Sequence, residues 1–200
     1  MKEYMDVKNA LMTLHKMGND EEDCILLLQT SLLYNTSTLL NDCREKVQQI
    51  KKIEPQISQT IAKLAMDDLS LKPYLSIPVY ILRIAENIER IIELIDKKVR
   101  DEILFSDKAT DEITFLFQRL IDILNTTAEI ILARNKILSK YVEESEKGVI
   151  RRAIEYATLH EERLIEGSCL PVASAIYIYM LDIVKSIAWH AKEIALKLAV

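Results

Sequence analysis

A chain of 200 residues that is 50% apolar is long enough to bury a substantial core, and three glycines with four prolines exclude folds made of many tight turns. Gly18, Gly148 and Gly167 stand far apart, which also excludes a P-loop or dinucleotide fingerprint, where clustered glycines bring backbone N–H groups onto phosphate. The net charge of −5 comes from 26 basic and 31 acidic residues interleaved along the chain, so no basic stripe is available for nucleic acid.

In chain order, the charged start Met1–Asp6 lacks the apolar stretch of a secretory signal. Gly18-Asn19-Asp20 reads as the end of a short N-terminal helix over 1–19, followed by an N-cap. The run Cys24 to Asn41 is uncharged, but eight of its eighteen residues are Gln, Thr, Ser or Asn, too polar for a membrane span. Its polar side either packs within its own bundle or meets a second copy of the chain, and the latter is the basis for expecting a homodimer. Asn41-Asp42 suggests a turn before a helix through Ile50, Ile57, Ile61 and Leu64, in which Pro55 predicts a kink or a later start. Residues 67–78, with two prolines, read as a linker.

Helical periodicity then dominates. Ile81, Ile84, Ala85, Ile88, Ile91, Ile92, Ile95 and Val99 form one apolar stripe. Ser106-Asp107 predicts a cap, and a second stripe runs Ile113, Leu116, Leu120, Leu124, Thr127, Ile131, Leu138 and Val142. Gly148 interrupts a pattern that otherwise continues, and Gly167-Ser168-Cys169-Leu170-Pro171 reads as a stop and restart. The run from Gly167 to Leu181 is too short for a membrane span and contains Pro171. A third stripe follows at Ile176, Met180, Ile183, Ile187, Ala191, Ile194 and Leu198. No strand alternation is visible. The expected fold is all-α, with long antiparallel helices in two tandem three-helix bundles over 20–104 and 107–199, a duplication with a period of roughly 100 residues.

Familiar chemistry is missing. Cys24, Cys43 and Cys169 are odd in number with no C-x-x-C, which fits a reducing cytosol rather than disulfides or zinc. The residues three before His15, His160 and His190 are Met12, Ala157 and Ile187, so the Glu-x-x-His pairs of a di-iron bundle are absent. His160-Glu161 starts like a zincin helix, but position 164 is Leu. His160 therefore reads as a hydrogen-bonded packing residue, and no catalytic residues are expected. One polar face carries Glu86, Glu89 and Glu93 beside Arg83, Arg90 and Lys97. It is either a solvated face with Glu86–Arg90 and Glu93–Lys97 pairs, or a place where a divalent or iron-type metal offsets the like charges.

Arg83-Ile84-Ala85-Glu86-Asn87-Ile88-Glu89-Arg90-Ile91 resembles the acidic-Arg-Ile-Gly-Asp-His signature of PhoU-type helical bundles. Ser186-Ile187-Ala188-Trp189-His190-Ala191-Lys192-Glu193-Ile194-Ala195 resembles its repeat. Tyr156–Pro171 and Leu104–Glu112 are similar to segments of the PhoU-like domains attached to sodium/phosphate cotransporters. The resemblance spans about residues 20–199. It implies a non-catalytic cytoplasmic regulator of phosphate transport or phosphate signalling that docks on a membrane transporter or sensor complex without entering the membrane. A PhoU-like regulator of another transporter, such as a potassium channel, and a metal-binding bundle acting as enzyme or metal store are the alternatives.

Members of that family often carry Glu-x-x-x-Asp in each half as ligands of clustered metal ions. Here the corresponding positions are Leu82-x-x-x-Glu86 and Lys185-x-x-x-Trp189. Glu89-x-x-x-Glu93, one register later, restores two acids in the first half only. Metal is therefore expected in the first half alone, on Glu86, Glu89 and Glu93. In the second half Trp189, the single tryptophan, lies off the apolar stripe among Asp182, Lys185, Lys192 and Glu193. It either covers a neighbouring helix or, with Lys185, forms a partner-docking face.

Overall fold

The computed structural model describes residues 2–167 and 170–199, with side chains from residue 7 onward. Six long helices account for most of it: α1 (Lys2–Leu33), α2 (Leu40–Asp67), α3 (Ile77–Arg100), α4 (Asp107–Ala133), α5 (Lys136–Ile165) and α6 (Pro171–Leu198). A 3-10 turn, Leu69–Tyr74, joins α2 to α3, and no strand occurs among the described residues. The fold is all-α, with three helices in each repeat. Packing follows the duplication. α1 lies on α4, α3 lies on α6, and α2 and α5 flank the inner four without touching each other. Buried side chains from both repeats form one continuous core, so the repeats share an interior.

Several local expectations hold. Ser106 Oγ accepts from the Ala109 N–H at 3.2 Å, capping α4 as its sequence predicts. Gly167 takes a positive φ of 73° just past α5, the conformation glycine supplies at a helix end. Ser168 and Cys169, the middle of the expected stop, lie outside the described residues. Proline stands in the first turn of both α3 and α6, where no intrahelical N–H is lost.

Others are corrected. The break at Gly18 does not occur, and the short helix over 1–19 is the first half of α1. Gly18 is a contact residue: a Cβ there would stand 3.1 Å from Cβ of Ala128, so the missing side chain lets α1 approach α4 closely. The helix expected from Cys24 to Asn41 ends at Leu33. Part of its polar side is buried within the chain's own fold, with Ser31 fully enclosed and Gln29 Nε2 donating to the Thr114 carbonyl of α4 at 3.1 Å, while Asn35, Ser37, Thr38 and Asn41 are exposed. Pro55 sits inside an unbroken α2, on its exposed side. The expected linker at 67–78 is anchored: Leu71 and Tyr74 are buried, and Tyr74 Oη donates to the Ile131 carbonyl at 2.8 Å. The stripe from Ile113 to Val142 is two helices. Arg134 turns left-handed at φ 48°, and Asn135 Oδ1 caps α5 by accepting from the N–H groups of Ile137 (2.8 Å) and Leu138 (3.3 Å).

The helix α6 is long and apolar enough to cross a membrane by length and composition. Its apolar side chains pack on α3, α4 and α5, and more than half of its most apolar window is buried inside the fold. It is the central core helix.

Candidate functional site

Both signature segments lie on helices whose apolar stripes face each other, so the fold brings α3 and α6 together. Asn87 Nδ2 donates to Ser186 Oγ at 3.1 Å, and the ring of Tyr80 meets His190, centroids 6.0 Å apart. Early α3 thus meets late α6, and later α3 meets earlier α6, so the two signatures pack antiparallel about a pseudo-twofold axis, as isologous contacts require. Asn87, an asparagine on the apolar stripe, is satisfied there by Ser186 and by the Arg83 carbonyl at 2.9 Å.

The three glutamates do not assemble a cation site. Glu86 Oε2 accepts from Arg83 Nη1 at 2.8 Å. Glu89 turns to α2, where Lys51 Nζ (2.5 Å) and Gln48 Nε2 (3.2 Å) donate to its two oxygens. Glu93 is exposed. Among the described residues no three His, Cys, Asp or Glu side chains converge into a group able to hold a metal ion. The i,i+4 pairs read from the sequence are replaced as well: Arg83 holds Glu86, and Arg90 points at Asn87 Oδ1, 3.5 Å away. The cross-helix partner of Glu89 was invisible to a reading along one helix.

At the symmetry-related position Trp189 is 42% exposed. Its ring packs edge-on against Tyr80 (centroids 6.3 Å) and His190 (4.9 Å), and Lys192 Nζ lies 5.4 Å over it. Lys192 also reaches Glu146 of α5 at 3.5 Å, which ties this face to α5. Burial, reinforced by Arg83, holds the His190 imidazole below its ordinary pKa, so it is neutral at pH 7. Lys185, one turn earlier, pairs with Asp182 at 2.8 Å and stays partly exposed. The α3–α6 face therefore presents an aromatic group, Tyr80, Trp189 and His190, bordered by Arg83, Lys185 and Lys192. Trp189 covers Tyr80 of the neighbouring helix and still offers much of its surface to solvent.

Sequence reasoning missed a second polar constellation. Glu112 of α4 is 2% exposed and accepts from both terminal nitrogens of Arg163 in α5, at 3.1 and 2.8 Å. Tyr177 of α6 donates to the same carboxylate at 2.5 Å, and the His160 ring stacks on Tyr177 with centroids 4.4 Å apart. The available signal was positional: Glu112 continues the apolar row Ala109, Ile113, Leu116, where a carboxylate is enclosed and needs a partner. Arg163 carried no comparable mark, since arginines occur on many exposed faces of this chain.

No protein-family model and no curated protein matches the chain. Among solved structures it is similar to the crystal structure of PhoU from Pseudomonas aeruginosa, with a TM-score of 0.87 and 17% identity, covering 98% of this chain and 95% of that one. The fold is PhoU-like along essentially the whole chain.

Proposed function

We propose that this chain is a non-catalytic, cytoplasmic PhoU-like regulator of phosphate transport or phosphate signalling, acting by docking on a membrane transporter or sensor complex. The observation that carries the reading is the PhoU-like fold over 98% of the chain. The chemistry of the α3–α6 face supports it. Where the family's signature would place carboxylates for metal, this chain has Lys185 and Trp189 in one half and an arginine-paired Glu86 in the other. A half-exposed Trp backed by Tyr80 and His190 and ringed by cations has the composition of a protein-binding hot spot, with rigid aromatic area and depletion of free acids.

Docking works sterically on this reading. The bundle presents a fixed surface whose geometry is set by the shared core, and Trp189 inserts into the partner while Lys185 and Arg83 steer acidic groups at its rim. The test is Trp189→Ala in the full chain, followed by thermal melting and by capture on membranes bearing the cognate transporter or sensor. The expected result is a midpoint nearly unchanged and capture weakened at least tenfold, about 1.4 kcal/mol. A midpoint lowered by several degrees, with binding per folded molecule unchanged, would make Trp189 a packing residue and remove the docking face.

A further inference from the structure

The seam between α1 and α2 holds two thiols. Cys24 and Cys43 stand nineteen positions apart with no motif to join them, and the two helices bring them face to face. The Cys24 thiol lies 3.8 Å from the Cys43 carbonyl oxygen, and the Cys43 thiol lies 3.5 Å from the Cys24 carbonyl oxygen. Both residues are 0% exposed, and both are free thiols.

A cysteine sulfur stands one atom beyond Cβ. It touches the opposite backbone only where two helices approach closely and the side chain points across the gap. The contact here is reciprocal, so both residues meet these conditions, and a disulfide sets the same ones: close backbones and converging Cβ bonds. The register of the seam is held independently. Lys46, three residues past Cys43, bridges Asp20 and Asp23 on the Cys24 side, each at 2.9 Å. One turn further along the two helices, Leu28 and Val47 are as deeply buried as the thiols.

We infer that Cys24 and Cys43 are a dithiol pair that forms an intrachain disulfide, a redox latch stapling α1 to α2. The reaction is thiol–disulfide exchange with a low-molecular-weight disulfide such as oxidised glutathione. One cysteine, as its thiolate, attacks a sulfur of the oxidant and releases one reduced thiol. The second cysteine attacks the mixed disulfide so formed and releases the other. The two cysteines give up two electrons and two protons, and one oxidised glutathione becomes two reduced molecules.

Burial makes the latch slow. A hydrogen bond with the Cys43 thiol, and then burial, push the Cys24 thiol well above its ordinary pKa, so little thiolate exists in the closed fold. A reagent the size of glutathione reaches either sulfur only when the seam opens locally. Reduction of the disulfide needs the same opening. The pair therefore responds to a sustained change in redox poise and ignores a brief one.

The test uses the full chain carrying Cys169→Ser, so that the third thiol takes no part. It is held in buffers of stepped reduced-to-oxidised glutathione ratio, then alkylated, mapped by peptide mass and melted. The expected product is a peptide joined through Cys24 and Cys43, with a melting midpoint raised by about 5 °C or more over the dithiol form, because the unfolded chain is constrained. Oxidation in native buffer is expected to run at least tenfold slower than in urea, and Cys43→Ser should abolish the joined peptide. A folded chain that stays reduced while the urea-unfolded chain oxidises would make the two cysteines a packing pair only and overturn the proposal. A joined chain that melts below the dithiol form would overturn it too, since the seam would then have to distort to close. Equal rates in native buffer and in urea would remove the latch. None of these readouts involves a membrane partner, so they are independent of the docking face.

Discussion

At the seam between α1 and α2, the charged groups stay close to water and share partners. Lys46 Nζ bridges Asp20 and Asp23, each at 2.9 Å, while Lys16 holds the other oxygen of Asp20 at 2.6 Å. At the corresponding seam of the second repeat, between α4 and α5, a bidentate pair does the joining, Tyr177 of α6 closes it from a third helix, and the exposed Lys108 stands 3.9 Å from the same carboxylate. The exposures separate the two designs: the Lys46 side chain is 28% exposed and that of Glu112 2%. One architecture thus accommodates a solvated charge network and a sealed one centred on a buried carboxylate. Losing a member of the first leaves the others hydrated, whereas losing a member of the second strands a charge in a low dielectric.

The sharpest way to break this comparison is to truncate one cation at each seam. Arg163→Met should cost about 3 kcal/mol in chemical denaturation, with a Tm drop on the order of 10 °C, because Glu112 is left buried with only the exposed Lys108, 3.9 Å away, as a cation. Lys46→Met should cost about 1 kcal/mol or less, since Asp20 keeps Lys16 and some water. Equal losses would show that the two seams do not differ energetically.

The first repeat carries its own sealed carboxyl, and one of its oxygens is unmatched. Glu21 is 1% exposed, its Oε1 has no hydrogen-bond partner, and burial together with the adjacent Asp20 pushes its carboxyl well above the usual carboxylate range. A carboxyl whose folded pKa is raised contributes stability that is complete below its unfolded pKa. That stability is lost as pH rises through the folded value. Glu21→Gln should therefore stabilise the chain by about 1–3 kcal/mol at alkaline pH, with a smaller gain near pH 4, measured as denaturation midpoints across that range. A gain independent of pH would mean that Glu21 does not titrate in the fold.

The glycines sharpen the comparison by the smallest amount. Gly18 faces Ala128, whereas Gly148 of α5 has no atom within 4 Å of the position a Cβ would take. Gly148→Ala should gain about 0.5–1 kcal/mol from helix propensity alone. Gly18→Ala gains the same propensity but forces α1 and α4 apart, and should lose about 1 kcal/mol net. Opposite signs in urea midpoints are the expected outcome.

The apolar spacing through Ile81–Val99 and Ile176–Leu198 was enough to read two long helices, and the shared signature on them was enough to read a duplicated PhoU-like bundle. Ser106 announced its cap in the same local way. These features depend on residues within a few turns of each other, and a linear pattern carries them completely. Gly18 shows where the pattern fails. A glycine ends a helix when its backbone turns left-handed and continues one when a neighbouring helix presses against it, and only the position of Ala128, far along the chain, decides between the two. The glutamates failed for the same reason. Glu89 prefers Lys51 of α2 to any partner on its own helix, and Glu112 is a buried anion only because α5 and α6 close over it. Charge is cheap in water and costly in the interior, so the role of a charged residue follows from what covers it. Helix identity, repeat order and fold class were thus determined by the sequence itself, through local periodicity. Which acids pair, which glycine is a contact, and which thiols meet were decided by the tertiary structure, because each depends on groups that only the fold brings together.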